Sequence, residues 1–306
     1  MRIYEYEKYV GDEGKCVLAI GFFDGVHVAH RALISRAVNI GRQLSLPIGV
    51  FTFSPKSNIK KSSTRIYTLD QRLSIIESLG VDFAVISNFD DIRNISAEEF
   101  CHTVLPKILC CNICVVGYNF RFGKGAVANA QTLSEMALKH GYTAMICKEE
   151  RLGGETVSSS AIRRYLSEGN MSFANEMLGE PYFLLQTVVH GKGIGSKRLG
   201  VPTANLSYPD DVLIPRFGVY AAFAEFDGKK HPAAVNLGVC PTYKKDDVHV
   251  EANIIGYSGD VYGKKIKLTF ISFLRDEMRF KSEEELKMQI ELDKNAIIKE
   301  LNLKND

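Results

Sequence analysis

Gly191-Lys-Gly-Ile-Gly-Ser-Lys-Arg-Leu-Gly-Val-Pro-Thr-Ala-Asn205 sets Gly191, Gly193, Gly195 and Gly200 around the cations Lys197 and Arg198, directly before a Pro-Thr-Ala-Asn segment. Glycines let a backbone approach a ligand closely and aim several N–H groups at one anion. Pro202 fixes its own φ and steers Val201 away from helix. Thr203 and Asn205 offer a hydroxyl and an amide oxygen, both hard ligands suited to Mg²⁺. The stretch reads as a nucleotide-phosphate and magnesium site closed by a turn. It is neither familiar glycine motif, because Ser196 stands where both the Walker and the dinucleotide spacings need glycine. A plain surface loop is the alternative reading, and the Pro-Thr-Ala-Asn end argues against it.

Working outward, strand-like runs follow one another without helices after Gly179-Glu-Pro181: Phe183 to His190, Val219 to Phe226, Val248 to Ile255 and Ile266 to Leu274. That pattern predicts an antiparallel sheet closed into a small barrel. A final helix is predicted from Ser282, capped with Glu285, with Leu286, Ile290, Ile297 and Leu301 on one face. Before residue 180 the order is different. Candidate strands at Cys16 to Ile20, Ile48 to Phe53, Phe83 to Ser87, Cys114 to Gly117 and Thr143 to Cys147 alternate with helical patterns near His30 to Gln43, Leu69 to Leu79, Ala97 to Leu109 and Gln131 to His140. Thr68 with Gln71, and Ser96 with Glu99, are capping-box pairs. Alternation of this kind predicts a doubly wound α/β domain, residues 1–180, on a mostly parallel sheet. The remaining residues, 181–306, form the β domain.

His27 and His30 follow the first candidate strand and a Phe-Asp-Gly turn. Their i, i+3 spacing puts both on one face at the positive end of a helix, where phosphates bind. Two histidines so spaced are more often structural, and the Phe-Asp-Gly-Val context tips the reading towards function. Ser158 and Ser159 are placed to cap a helix presenting Arg163, and Asn119 lies in a Gly-Tyr-Asn-Phe-Arg-Phe-Gly loop.

Gly191 to Asn205 resembles the riboflavin kinase motif, in the form with a Gly-Ser-Lys insert similar to eukaryotic members. Gly218-Val-Tyr220, Asn236-Leu-Gly238 with Pro241-Thr-Tyr243, Glu251, Tyr262-Gly263-Lys264 and Leu274-Arg-Asp-Glu277 follow in the same order. Upstream, Gly21 to His30, Phe51 to Pro55, Gly117 to Gly123 and Val157 to Arg163 resemble the adenylyltransferase half of bacterial bifunctional FAD synthetases. The resemblance implies a Rossmann-like nucleotidyltransferase domain and a riboflavin kinase barrel, with riboflavin, FMN, FAD and ATP as ligands. It makes Glu251 the base of phosphoryl transfer, Thr203 and Asn205 the holders of Mg²⁺, and Gly191, Gly193, Gly195 and Lys197 the phosphate cradle. It places Arg275 near the flavin. In the other domain it assigns His27, His30 and Arg163 to catalysis, and Asn119, Ser158 and Ser159 to phosphate. Ala29, Arg31, Lys56, Ala128 and Asn129 depart from the family pattern. A kinase with a degenerate first domain and a flavin- or nucleotide-binding regulator therefore stay open as alternatives.

The 306 residues suffice for two cores, and a net charge of +2 does not indicate a broad nucleic-acid surface. No apolar run approaches the roughly 20 residues of a membrane span, and the first residues lack the apolar core of a signal peptide. The seven irregularly spaced cysteines fit a reducing cytoplasm. Cys111 and Cys114 read as buried structural thiols rather than a redox or metal pair.

Overall fold

The computed structural model describes residues 1–54, 64–189, 203–239 and 248–301. Two compact units divide it, Met1–Ser159 and Ser160–Asp306.

In the first unit, strands β1 (Arg2–Glu5), β2 (Cys16–Ile20), β3 (Ile48–Ser54), β4 (Phe83–Asn88), β5 (Cys111–Gly117) and β8 (Thr143–Cys147) form one sheet in the order β1-β4-β3-β2-β5-β8. Every pairing in it is parallel. The two-residue strands β6 (Arg121–Phe122) and β7 (Ala128–Asn129) make a small ribbon, as do β9 (Arg151–Leu152) and β10 (Glu155–Thr156). Helices α1 (Val28–Leu44), α2 (Leu69–Ser78), α3 (Phe89–Ile92), α4 (Ala97–Glu99) and α5 (Ala130–Lys139) connect the strands. Central strands buried on both faces read as continuous apolar runs: Cys16–Ile20 is buried throughout. The order reverses at β2, whose neighbours are β3 on one side and β5 on the other. Ligands bind at the carboxyl ends of strands at such a switch point.

Both N-terminal caps hold. Thr68 and Gln71 make the full capping box, and Ser96 accepts from the Glu99 amide. After Glu99 the helix widens into a π-turn over Phe100–Ile108 that includes Pro106. An irregularity where β5 meets β2, between the pairs Cys16↔Cys111 and Val17↔Ile113, turns Cys111 and Cys114 into the same core. Burial pushes the Cys16 thiol up to about 12 and Cys111 well above its usual value, so these sulfurs are inert packing groups.

The second unit begins with α6 (Ser159–Glu168), of which only the first residue groups with the sheet, and α7 (Met171–Leu178). Six strands follow: β11 (Phe183–Val189), β12 (Thr203–Ser207), β13 (Gly218–Phe226), β14 (Lys229–Val239), β15 (Val248–Ile254) and β16 (Lys265–Arg275). They close antiparallel in the order β11-β12-β15-β14-β13-β16. The barrel has two strands more than the periodicity suggested. Thr203–Ser207 is a strand rather than part of a turn, because Ala204 and Leu206 alternate into the core while Thr203 and Asn205 face outward. Gly218 takes φ 147°, and a Cβ there would lie 2.4 Å from the Arg275 carbonyl oxygen, which is why the strand opens on glycine. The last helix, α8 (Glu283–Glu300), is capped by Ser282 as expected. The compact units meet at Ser159/Ser160, whereas the change of pattern near residue 180 marks the passage from helix to strand.

Candidate active sites

At the carboxyl end of β2 the chain makes a strained turn. Phe23 (φ 53°) and Val26 (φ 41°) both sit in the left-handed region, flanking Gly25. For a β-branched residue this is an outlier, held in place by surrounding contacts. Those contacts are explicit. The buried Asp24 carboxylate accepts from the Ile66 amide (3.0 Å), and its carbonyl accepts from the Ser159 hydroxyl (2.9 Å). Arg31 Nε donates to the Val26 carbonyl (3.0 Å). The guanidinium of Arg72, 1% exposed, donates to the Phe22 carbonyl and, at 3.1 Å, to the Phe53 carbonyl, joining the ends of β2 and β3.

The turn delivers His27 to the N-cap of α1 and His30 to its first turn. Their rings stack with centroids 3.6 Å apart and planes 18° apart. His27 is buried, and the Nδ1 atom of each ring is closed off from solvent without a hydrogen-bond partner. Burial lowers His27 from the ordinary 6.5 to about 4. Burial first, then the charges of His27 and Arg72, hold His30 well below its usual value. Both imidazoles are therefore neutral at pH 7 and present hydrogen-bond donors beside the amides of a helix start, a combination suited to phosphate oxygens.

Asn119 is exposed in the turn after β5, on the other side of the switch point from β3. Ser159 is the first residue of α6, and its hydroxyl donates to Asp24 rather than capping that helix, so this expectation is corrected. Ser158 precedes α6 at its N-cap position. Arg163 is half-buried in α6, a helix that groups with the second unit. Lys56 lies outside the described residues. Ala29 lies in the first turn of α1, and three other departures have structural roles. Arg31 fastens the strained turn, Ala128 packs in the core, and Asn129 caps α5 by accepting from the Thr132 amide at 2.9 Å. Arg72 escaped the sequence reading, since an arginine inside a helix pattern looks like a solvated residue until the fold closes over it.

In the second unit, strand register assembles the outward-facing polar residues. Asn205 pairs with Glu251, Glu251 with Asn236, Asn236 with Val219, and Val219 with Arg275, a continuous row across five strands. One step along, Thr203 pairs with Asn253. A cavity of about 200 Å³ lies against this face. Thr203, Asn236, Glu251 and Asn253, with Arg275, Glu277 and Asp293, supply its polar lining, while Met278, Phe280, Leu286 and Ile290, from the chain after β16 and from α8, supply apolar lining. A second cavity of about 280 Å³ is lined by Ile254, Tyr257, Asp260, Val261 and Tyr262, and Thr203 borders both. Glu251 and Thr203 are thus brought together as expected. Asn236 and Asn253 were not given roles from sequence, because only barrel register shows that they share a face with Glu251.

Arg275 lines the first cavity, yet its guanidinium is engaged elsewhere. Nε and Nη2 fork onto Asp293 of α8 at 2.9 and 2.7 Å, and Nη1 donates to the Asp276 carbonyl at 3.0 Å. Arg275 thus borders the cavity and at the same time forms an ion pair between barrel and helix. Gly191, Gly193, Gly195 and Lys197 lie outside the described residues.

Thr203 Oγ1 and Asn205 Oδ1, two residues apart on one strand face, form a hard-oxygen donor set. Mg²⁺ prefers such oxygens and keeps most of its waters and phosphate ligands, so the donors fit. Among the described residues no cluster of three or more His, Cys, Asp or Glu side chains could hold a metal.

Two family descriptions match the chain, FAD synthetase over residues 10–161 and Riboflavin kinase over residues 178–301. A bifunctional riboflavin kinase/FMN adenylyltransferase of Listeria monocytogenes is 32% identical and covers 90% of both chains. One from Escherichia coli K12 is 34% identical over 91% of this chain and 90% of its own. Among solved structures, a chain titled as a macrolide-efflux protein from Streptococcus pneumoniae superposes with TM-score 0.85 over 97% of this chain and 99% of that one, at 26% identity. Among the described residues no helix is long and apolar enough to cross a membrane. That likeness is one of fold.

Proposed function

The chain belongs to the family of bifunctional riboflavin kinases/FMN adenylyltransferases, and from that premise we propose that its two sites act in sequence, the barrel forming FMN and the sheet domain converting it to FAD. The observation that carries this reading is the row Asn205–Glu251–Asn236 beside a cavity that is polar along the strands and apolar under α8. Such a cavity suits a molecule with a flat apolar ring and a polyol tail.

In the kinase step the terminal ribityl hydroxyl of riboflavin attacks the γ-phosphorus of ATP, a P–O bond forms, and ADP leaves. Glu251 orients that hydroxyl and takes its proton, while Asn236 and Asn253 hold the rest of the chain. Thr203, bordering both cavities, stands where the flavin tail meets the nucleotide, whose base takes the Tyr257–Tyr262 cavity. Gly191, Gly193, Gly195 and Lys197 cradle its phosphates. Thr203 and Asn205 would hold Mg²⁺, which would supply neutralisation of phosphate charge.

In the second step a phosphate oxygen of FMN attacks the α-phosphorus of another ATP, and pyrophosphate leaves. No covalent intermediate with the protein is needed, so positioning and hydrogen bonding suffice. Neutral His27 and His30 and the first amides of α1 donate to ATP phosphate oxygens. Asn119, Ser158 and Arg163 act on the phosphates from the surrounding segments. The functional division is residues 1–180 for adenylyl transfer and 181–306 for the kinase. The six described cysteines are all free thiols, which supports a reducing, cytoplasmic setting.

The test is product analysis. Purified chain with Mg-ATP and riboflavin, sampled over time, is expected to show FMN first and FAD after it. FMN alone would restrict the chain to the kinase. Neither product would overturn the assignment in favour of a binding role.

A further inference from the structure

We infer that Asp293 is a positioning residue of the kinase site, acting through Arg275 to hold α8 as one wall of the flavin cavity. The inference rests on the kinase reading and adds a residue and a role to it. Asp293 stands on the apolar stripe of α8, in line with Leu286, Ile290 and Ile297, and is 7% exposed. A carboxylate on a buried stripe is unfavourable unless its lone pairs are occupied. Here they are: Arg275 Nε and Nη2 form a two-pronged pair with it, and Gln289 Nε2 adds a third bond at 2.9 Å.

The location gives the pair its meaning. Arg275 ends β16 and closes the row that runs through Val219 and Asn236 to Glu251. Its remaining arm holds the Asp276 carbonyl, at the start of the segment carrying Glu277, Met278 and Phe280 into the cavity. One guanidinium thus ties together a barrel strand, that segment and the helix. Asp293 and Ile297 are the buried residues of α8, so the helix has few other anchors. The fork consequently decides where Leu286 and Ile290 stand. A buried ion pair is weak as a source of stability, because well-packed apolar residues can replace it, but its planar two-bond geometry fixes orientation. Orientation of α8 bears on the flavin side of the site. The nucleotide cavity, lined by Thr203 and Ala204 of β12 and by residues of and after β15, takes no lining residue from α8.

The experiment uses the full chain with Asp293→Asn and Arg275→Lys, singly and together. FMN formation is measured against riboflavin and against Mg-ATP. Asp293→Asn keeps the shape and removes the charge, and it is expected to raise KM for riboflavin about tenfold, as misplacement of a binding wall does. KM for Mg-ATP should stay within about twofold, and the double variant should be no worse than Asp293→Asn, since both changes break one unit. An unchanged riboflavin KM overturns the inference, and so does an equal rise in both KM values, which would mean general loosening. Hydrogen exchange on the unaltered chain covers the case of a variant that does not fold. Riboflavin with Mg-ATP should slow exchange of α8 amides, and no slowing overturns the inference. A wild-type chain that forms no FMN overturns the kinase reading and this inference together, whereas normal wild-type turnover with unsplit variants overturns this inference alone.

Discussion

Acid should unfold the sheet domain through its histidine pair, and His27→Asn should remove much of that sensitivity. Folding lowers His27 from 6.5 to about 4, a consequence of burial. The unfolded chain therefore binds one more proton than the folded chain between those values. The stability tied to the neutral imidazole is fully present above pH 6.5, falls as pH drops below it, and is lost by about pH 4. A shift of about 2.5 units at 1.36 kcal/mol each is worth about 3 kcal/mol in full, of which about 2 kcal/mol is gone at pH 5. His30, lowered in the same direction, adds to the effect. The assay is calorimetric unfolding of wild type and His27→Asn at pH 7.5, 6 and 5, resolving the two domains. Taking the difference between the proteins cancels the carboxylates they share. The wild type's advantage over the variant should shrink by about 2 kcal/mol from pH 7.5 to pH 5. A difference constant to within about 0.5 kcal/mol would refute the argument, because an imidazole neutral only through burial cannot escape this linkage.

Three further outcomes are expected. Arg72→Met removes two bonds from a charged donor to the ends of β2 and β3, about 1.5–3 kcal/mol each. FAD formation from supplied FMN should fall while FMN formation from riboflavin persists, and equal loss of both activities would contradict the placement of Arg72. Gly238→Ala puts a Cβ 2.1 Å from Glu277 Oε1, so it should displace that exposed, flexible side chain from the cavity lining with little loss of stability. Steady-state kinetics should then show a raised riboflavin KM, with a wild-type value as the contrary result. Glu251→Gln should lower kcat for FMN formation at least about 100-fold with nucleotide binding retained in calorimetric titration, and full turnover would remove Glu251 from the role of base.

Periodicity alone made the α/β half and the barrel half legible, and two of the sheet strands, Cys16–Ile20 and Thr143–Cys147, coincide with their expected bounds. Central strands and amphipathic helices announce themselves because burial imposes a period on many residues at once. Arg2–Glu5 escaped because it is an edge strand with mostly exposed side chains and thus little pattern. Thr203–Ser207 escaped for a related cause: its outward positions carry polar side chains, and the preceding proline suggested a turn. Among the candidate site residues, Thr203, Asn205, Glu251, His27 and His30 were proposed from motifs. Arg72, Asn236, Asn253 and Asp293 were not.

What the sequence determined by itself was therefore local: which segments alternate, which helices are capped, and which short motifs bring glycines, histidines and hard-oxygen donors together. These properties depend on neighbours a few residues apart. The tertiary structure alone decided that Asn205, Glu251, Asn236 and Arg275 share one row, since barrel closure and strand register pair residues distant in sequence. It alone decided that Arg275 grips Asp293, which as isolated letters look like two solvated charges. It also decided that two histidines stacked at a helix start are neutral, because desolvation is a property of everything packed around them rather than of their spacing.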